Sequence, residues 1–107
     1  MVEIDALIRI YNNINNIFTL SQTLFTLDAS GITYSGAITN DHEWLVFGTN
    51  YNNIYVYKLS GGKYVHYENF AIAAAARSIS LTEDHMYLAI GTIDNFAYVY
   101  KFNGTKF

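Results

Sequence analysis

The chain of 107 residues contains no cysteine, no proline and few charges. The absence of cysteine excludes disulfide frameworks, thiolate metal sites and cysteine nucleophiles. Charged residues make up 14% of the chain and the formal net charge is −3, which offers no basic surface for nucleic acid. No apolar run approaches the roughly 18–20 residues of a membrane span, and the first residues lack the basic start of a signal peptide. These absences favour a cytoplasmic protein without nucleic-acid or membrane partners.

The residues that are abundant are those of β-structure. About half of the chain is apolar (51%) and 17% is aromatic, which suffices for the packed core of one domain. Short β-branched and aromatic runs alternate with clusters of Asn, Asp, Gly and Ser, a pattern typical of strands and turns. The chain is therefore predicted to be all-β, with strands at about residues 6–12, 17–24, 32–39, 43–49, 53–59, 63–70, 77–82, 86–92 and 96–102.

The strongest signal is an internal repeat. Residues 40–49, NDHEWLVFGT, match residues 83–92, EDHMYLAIGT, at an offset of 43 residues. The same offset aligns residues 54–64 with residues 97–107 without a gap. A period of about 40–45 residues is that of a β-propeller blade, a sheet of four antiparallel strands.

A fainter copy precedes these two. Residues 10–20 match residues 56–66 at an offset of 46 residues. The chain is thus predicted to hold the last two strands of one blade (6–24), a full blade (32–70) and the first three strands of another (77–102). The expected architecture is an incomplete propeller of about two blades.

One segment permits a second local structure. Residues 71–77, AIAAAAR, have a high helix propensity. The repeat instead makes them the end of an outer strand and the connection to the next blade. Because tertiary context usually overrides propensity, the prediction follows the repeat.

Residues 35–58 and 78–101 resemble WD40 repeats. Both segments align without gaps on that family's succession of a short inner strand, a turn with Asp, a strand ending near Gly-Thr, a second turn and a third strand. WD40 blades often bury a hydrogen-bonded set that includes a Ser or Thr and an Asp, and Thr92 and Asp94 match two of its members. The resemblance implies a β-propeller of four-stranded antiparallel blades.

Two blades are too few to close a propeller, which typically has four to eight. An open fan would leave apolar sheet faces and unpaired strand edges exposed. Two hypotheses remain. Either several copies close a ring, with the N-terminal strands of one chain completing the C-terminal blade of the next, or the chain is part of a longer propeller. Self-association is the favoured hypothesis.

No residue pattern indicates catalysis. The chain has neither a nucleophile elbow around a serine nor a glycine-rich phosphate loop. The triplets at residues 41–43 (DHE) and 83–85 (EDH) contain metal-ligating residue types. They occupy the same turn of the repeat, however, which favours a structural role over metal ligation. The sequence therefore predicts no enzyme, no metal and no cofactor.

The WD40 resemblance also implies a partner-binding surface, formed by the loops between second and third strands and by the connections between blades. The residues it places there are Asp28, Asn50, Tyr51, Asn52, Arg77, Ile93 and Asp94. Arg and Tyr are enriched in strong interfaces, whereas the alternative is that these are ordinary polar turn residues.

The functional expectation is a non-catalytic protein-interaction or scaffold module, whose partners include other proteins or copies of itself. A propeller that binds carbohydrate or another small ligand is one alternative. A truncated or engineered fragment with no ligand of its own is the other.

Overall fold

The computed structural model describes residues 7–25, 33–50 and 52–107. This part of the chain contains nine strands and no helix, and hence no helix suited to cross a membrane. The strands are β1 (Leu7–Ile14), β2 (Ile17–Phe25), β3 (Thr33–Ile38), β4 (Trp44–Thr49), β5 (Asn53–Ser60), β6 (Lys63–Ala71), β7 (Ala76–Leu81), β8 (Tyr87–Thr92) and β9 (Ala97–Lys101). The predicted all-β class is confirmed, and every strand bound lies within two residues of its expected position.

The strands form three antiparallel sheets in sequence order. The hairpin consists of β1 and β2, the central sheet of β3 to β6, and the third sheet of β7 to β9. Irregularities of pairing recur at matching positions. A register shift follows Ile10 in the hairpin and Val56 in the central sheet, and another begins at Thr33 and again at Ala76. The repeat in the sequence is therefore also a repeat in backbone geometry.

The turn between the first two strands has the same hydrogen bonds in the central sheet and in the third sheet. Thr39 Oγ1 donates a hydrogen bond to Asp41 Oδ1 over 2.6 Å, and Thr82 Oγ1 donates to Asp84 Oδ1 over 2.7 Å. Each aspartate also accepts a bond from the backbone N–H two residues further on, at 2.9 and 3.0 Å. The two carboxylates therefore hold the turn, which supports the structural role expected for these triplets.

Positive backbone φ occurs where the turns require it. Asn15 and Asn16 have φ of 54° and 66°, as a type I′ hairpin turn demands. This tight turn lets the pairing run to Ile14 and Ile17, so that β1 extends two residues beyond its predicted end. His42 (63°) and His85 (62°) also have positive φ, a region that histidine, like Asn and Asp, adopts more often than other non-glycine residues do.

The alanine-rich segment does not form a helix. Ala71 ends β6, residues 72–75 are an irregular connection, and Ala76 begins β7. Ile72, Ala74 and Ala75 are buried in the connection. Small side chains let the backbone pass close to both sheets, and this packing outweighs the helix propensity of the segment.

Two apolar clusters fill the spaces between the sheets. The cluster between hairpin and central sheet contains Leu24, Leu45, Phe47, Tyr55, Tyr57 and Tyr64. The cluster between central and third sheet contains Val46, Ile54, Val56, Ile72, Ala76, Leu88 and Ile90. Successive residues of β4 and β5 point to opposite faces, so the central sheet is buried on both sides. This explains the uninterrupted apolar run at the start of β4.

Candidate functional site

Five of the seven residues expected to bind a partner lie at one end of the strands, here called the loop end. It comprises residues 50 and 52 between β4 and β5, the β8–β9 turn (93–96) and the β6–β7 connection (72–75). Asp28 and Tyr51 lie outside the residues that the structure describes. Asn50, Asn52, Ile93 and Asp94 are in the turns, and Arg77 follows the first residue of β7.

Backbone hydrogen bonds tie the loop end together. The N–H of Ile72 donates to the carbonyl of Asn52 over 2.8 Å, and the N–H of Ile93 donates to the carbonyl of Ala75 over 3.1 Å. The connection between the sheets is therefore pinned to a turn of each one. Asn52 adopts a φ of 62°, a conformation that asparagine tolerates. Two of the expected residues, Asn52 and Ile93, are thus hydrogen-bonded to the same connection between β6 and β7.

Exposure at the loop end is uneven. Ile93 is 53% exposed, and Arg77 and Asp94 are also exposed, whereas Asn50 and Asn52 are half-buried. Arg77 lies at the register shift between Ala76 and Ser78, which sets it apart from the regular ladder. The Asp94 carboxylate accepts a hydrogen bond from Thr92 Oγ1, so it also braces its own turn. The loop end therefore exposes one apolar, one cationic and one anionic side chain.

A cleft at the opposite end of the strands was not foreseen. It has a volume of about 610 Å³ and lies between the hairpin and the central sheet. Its walls combine apolar side chains such as Ile38 and Leu59 with polar ones such as Asn12 and His42. No sequence signal pointed to it, because it forms where residues of two sheets that are far apart in the chain approach each other.

Gln22, which lines the cleft, joins the hairpin to the central sheet. Its side-chain amide donates to the carbonyl of Tyr64 and accepts from the N–H of Tyr64, both over 2.8 Å. The Tyr64 hydroxyl donates to the carbonyl of His42 over 2.6 Å. Burial raises the pKa of Tyr64, and the carboxylates of Asp41 and Glu43 raise it further. Tyr64 therefore stays protonated near neutral pH and acts as a hydrogen-bond donor, not as a base.

The histidines and carboxylates do not converge on a metal. Among residues 7–25, 33–50 and 52–107, no three His, Asp or Glu side chains are grouped as cation ligands. His66 is exposed on β6, and its Nε2 lies 3.0 Å from Asn69 Oδ1. His85, in contrast, is buried against Trp44 between the sheets. The position of His85 in a turn of the repeat gave no indication that its side chain is buried.

Most of the aromatic residues that recur in the repeat pack between the sheets. Tyr55 and Tyr57 lie in the cluster between hairpin and central sheet, and Trp44 and Tyr100 pack against the other cluster. Tyr87 differs, because it is exposed on the outer side of the third sheet. Tyr87 occupies the same position of the repeat as Trp44, but no further sheet of described residues covers Tyr87.

In comparisons with known proteins, the chain matches no protein-family model. It also matches no curated protein.

Proposed function

We propose that the three sheets are WD40-like propeller blades and that the chain is a non-catalytic protein-interaction or scaffold module. The proposal is supported by the four-stranded central sheet, by turns and register shifts that recur at repeat positions, and by a central sheet that is buried on both faces. Adjoining blades of a propeller have such faces. The partner-binding surface in this proposal is the loop end.

The observation that carries the proposal is the pinned connection at the loop end. Ile93 is held by its backbone bond to Ala75, yet its side chain remains exposed. An apolar side chain on a fixed backbone loses little entropy on binding, which favours recognition of a protein surface. Arg77 and Asp94, which are also exposed at the loop end, supply charges that orient a partner.

The test compares capture of cellular proteins by the immobilised chain and by three variants. Ile93→Asp and Arg77→Glu alter the loop end, whereas Val65→Asp places a charge at an exposed apolar residue of β6 away from it. We expect the wild-type chain and the control to retain the same partner, and both loop-end variants to lose it. A partner retained equally by all four chains would contradict the proposed surface. Circular dichroism establishes that each variant is folded.

The second candidate function is binding of a carbohydrate or another small ligand. The cleft of about 610 Å³ favours it, because amide, hydroxyl and apolar side chains line the same concave surface. A glycan array separates the two candidates. Binding that is lost in Ile38→Asp but kept in Tyr51→Ala would place a ligand in the cleft, whereas an array without any bound glycan would leave the interaction module as the proposal.

A further inference from the structure

The two outer faces of the sheet stack correspond, position by position, to faces that are buried within it. The outer face of the third sheet is defined here by Tyr87, Ala89, Ala97 and Val99. Val99 is 71% exposed, whereas Val56, its equivalent in the central sheet, is fully buried beneath the third sheet. Ala89 is exposed where its equivalent, Val46, is fully buried. The exposed outer face of the third sheet is thus equivalent to the face of the central sheet that the third sheet covers.

The outer face of the hairpin, defined here by Tyr11, Phe18 and Leu20, shows the same relationship. Tyr11 is 52% exposed, whereas its equivalent Tyr57 is 6% exposed because the hairpin covers it. Phe18 is 68% exposed and its equivalent Tyr64 only 7%.

The pairing register places these side chains on the outer face of the hairpin. Ile10 is paired with Gln22, which bonds the central sheet. Since successive residues of β1 alternate between the two sides of the hairpin, Tyr11 points to the side opposite Ile10, and both Tyr11 and Phe18 also border the cleft.

We propose that a second copy of the chain docks head to tail, with the outer face of its hairpin on the outer face of the third sheet. Inside the chain, the same two types of face meet twice, once between hairpin and central sheet and once between central and third sheet. The third-sheet face carries small residues, Ala89 and Ala97, and the hairpin face carries bulky ones. Alternation of small and large side chains lets two faces interlock. The inference rests on the repeat arrangement of the proposed function.

Stacking of faces accounts for the strand numbers better than joining of edges. The third sheet has three strands and the hairpin two, so an edge-to-edge union gives five strands where the central sheet has four. Face-to-face docking leaves each sheet as it is and adds one more layer. The interface is heterologous, because each copy contributes a different surface.

The hairpin face also carries a charge that limits the strength of the contact. Arg9 is exposed at the position equivalent to Tyr55, which is buried in the central sheet. Desolvation of Arg9 opposes docking. Self-association is therefore expected to be reversible and to increase with protein concentration.

The experiment measures the solution mass of the whole chain by light scattering over a range of concentrations. Val99→Asp alters only the third-sheet face and Leu20→Asp only the hairpin face, and both side chains are at least half exposed, so the fold should survive. Val65→Asp is the matched control, since Val65 is similarly exposed on the central sheet. We expect the wild-type chain and the control to exceed the mass of a single chain, and each face variant to remain a monomer.

A mixture of the two face variants provides the decisive measurement. The Val99→Asp chain keeps an intact hairpin face and the Leu20→Asp chain keeps an intact third-sheet face. A head-to-tail interface therefore predicts a 1:1 heterodimer with twice the mass of one chain, although each variant alone is monomeric.

The inference is overturned by a wild-type chain that stays monomeric at its highest soluble concentration, by face variants that associate like the wild type, or by a mixture that does not dimerise. These outcomes are distinct from failure of the proposed function. The monomeric Val99→Asp chain still has an unaltered loop end, and capture of a partner by it would leave the proposed function intact.

Discussion

The imidazole ring of His85 lies parallel to the indole ring of Trp44, with 3.7 Å between the ring centroids and 8° between the planes. His85 belongs to the turn before β8, and Trp44 begins β4, so this contact joins the third sheet to the central sheet. Phe102 and Phe107 approach the imidazole edge-on, each with its centroid 4.7 Å away. Neither ring nitrogen of His85 has a hydrogen-bond partner in the described part of the chain, and the side chain therefore acts there as a buried aromatic ring.

The first prediction concerns the packing of His85. His85→Ala should lower the free energy of unfolding by about 2 kcal/mol more than His42→Ala, because only His85 loses a stacked ring and leaves a cavity. His42 is the matched control, since it is exposed and has the same φ within one degree. Backbone strain from alanine at positive φ then cancels between the two variants. Urea unfolding followed by the fluorescence of Trp44, the single tryptophan, measures both; equal losses would contradict the packing role.

The second prediction is a loss of stability in mild acid. Burial and, to a smaller extent, the charge of Lys58 lower the pKa of His85 to about 4, although the charges of Asp41 and Asp84 act in the opposite direction. The unfolded chain binds a proton at the ordinary histidine pKa of about 6.5. Between these two values only the unfolded state gains the proton, so the free energy of unfolding should fall from pH 6.5 to pH 4 and this contribution should then level off.

His85→Phe separates this effect from other titrations. The variant keeps an aromatic ring but no titratable group, so its stability should change less between pH 6.5 and pH 4 than that of the wild type. Below that range both chains should lose stability, because hydrogen bonds from Thr39 and Thr82 lower the pKa of Asp41 and Asp84 and favour their charged forms in the fold. An unchanged slope in the variant would show that His85 is not the titrating group.

The third prediction compares two equivalent glycines. A Cβ atom on Gly48 would lie 2.6 Å from the Cβ of Ala76 in the adjoining sheet, so Gly48→Ala should cost about 1–3 kcal/mol. A Cβ atom on Gly91 would meet only Ser78 Oγ, at 2.7 Å, and that hydroxyl can rotate away. Gly91→Ala should therefore leave the melting temperature nearly unchanged. Equal destabilisation of both variants would contradict the difference in packing between the central and third sheets.

The fourth prediction concerns the attachment of the hairpin. Gln22→Ala removes two hydrogen bonds to the Tyr64 backbone and should cost about 1–3 kcal/mol. Hydrogen exchange should accelerate in β1 and β2 but not in β8, because the third sheet packs on the other face of the central sheet. Ser21→Ala, at an exposed neighbouring position, is the control. Faster exchange throughout the chain would mean that the hairpin does not open separately.

Much of the local structure could be predicted from residue type alone. The period of 43 residues and the clusters of Asn, Asp and Gly located all nine strands, because strand and turn preferences depend on neighbours in the chain. The repeat also favoured a structural role for the turns that contain Asp41 and Asp84, whereas the hydrogen bonds from Thr39 and Thr82 that provide this role were seen only in the structure. The partner-binding residues remain a prediction, and two of them, Asp28 and Tyr51, lie outside the described part of the chain.

Other features depend on contacts between distant segments. His42 and His85 occupy the same repeat position, yet only His85 is buried, because Trp44 of the neighbouring sheet stacks on it, whereas the neighbouring hairpin leaves an open cleft at His42. A difference in neighbours likewise explains why Val56 is buried and Val99 exposed. The sequence by itself determined which residues form strands and turns and which face of each strand is apolar. Only the tertiary structure decided which of those faces are covered, because burial depends on the sheet that lies opposite. A repeat gives equivalent residues the same local structure, but it does not give them the same neighbours.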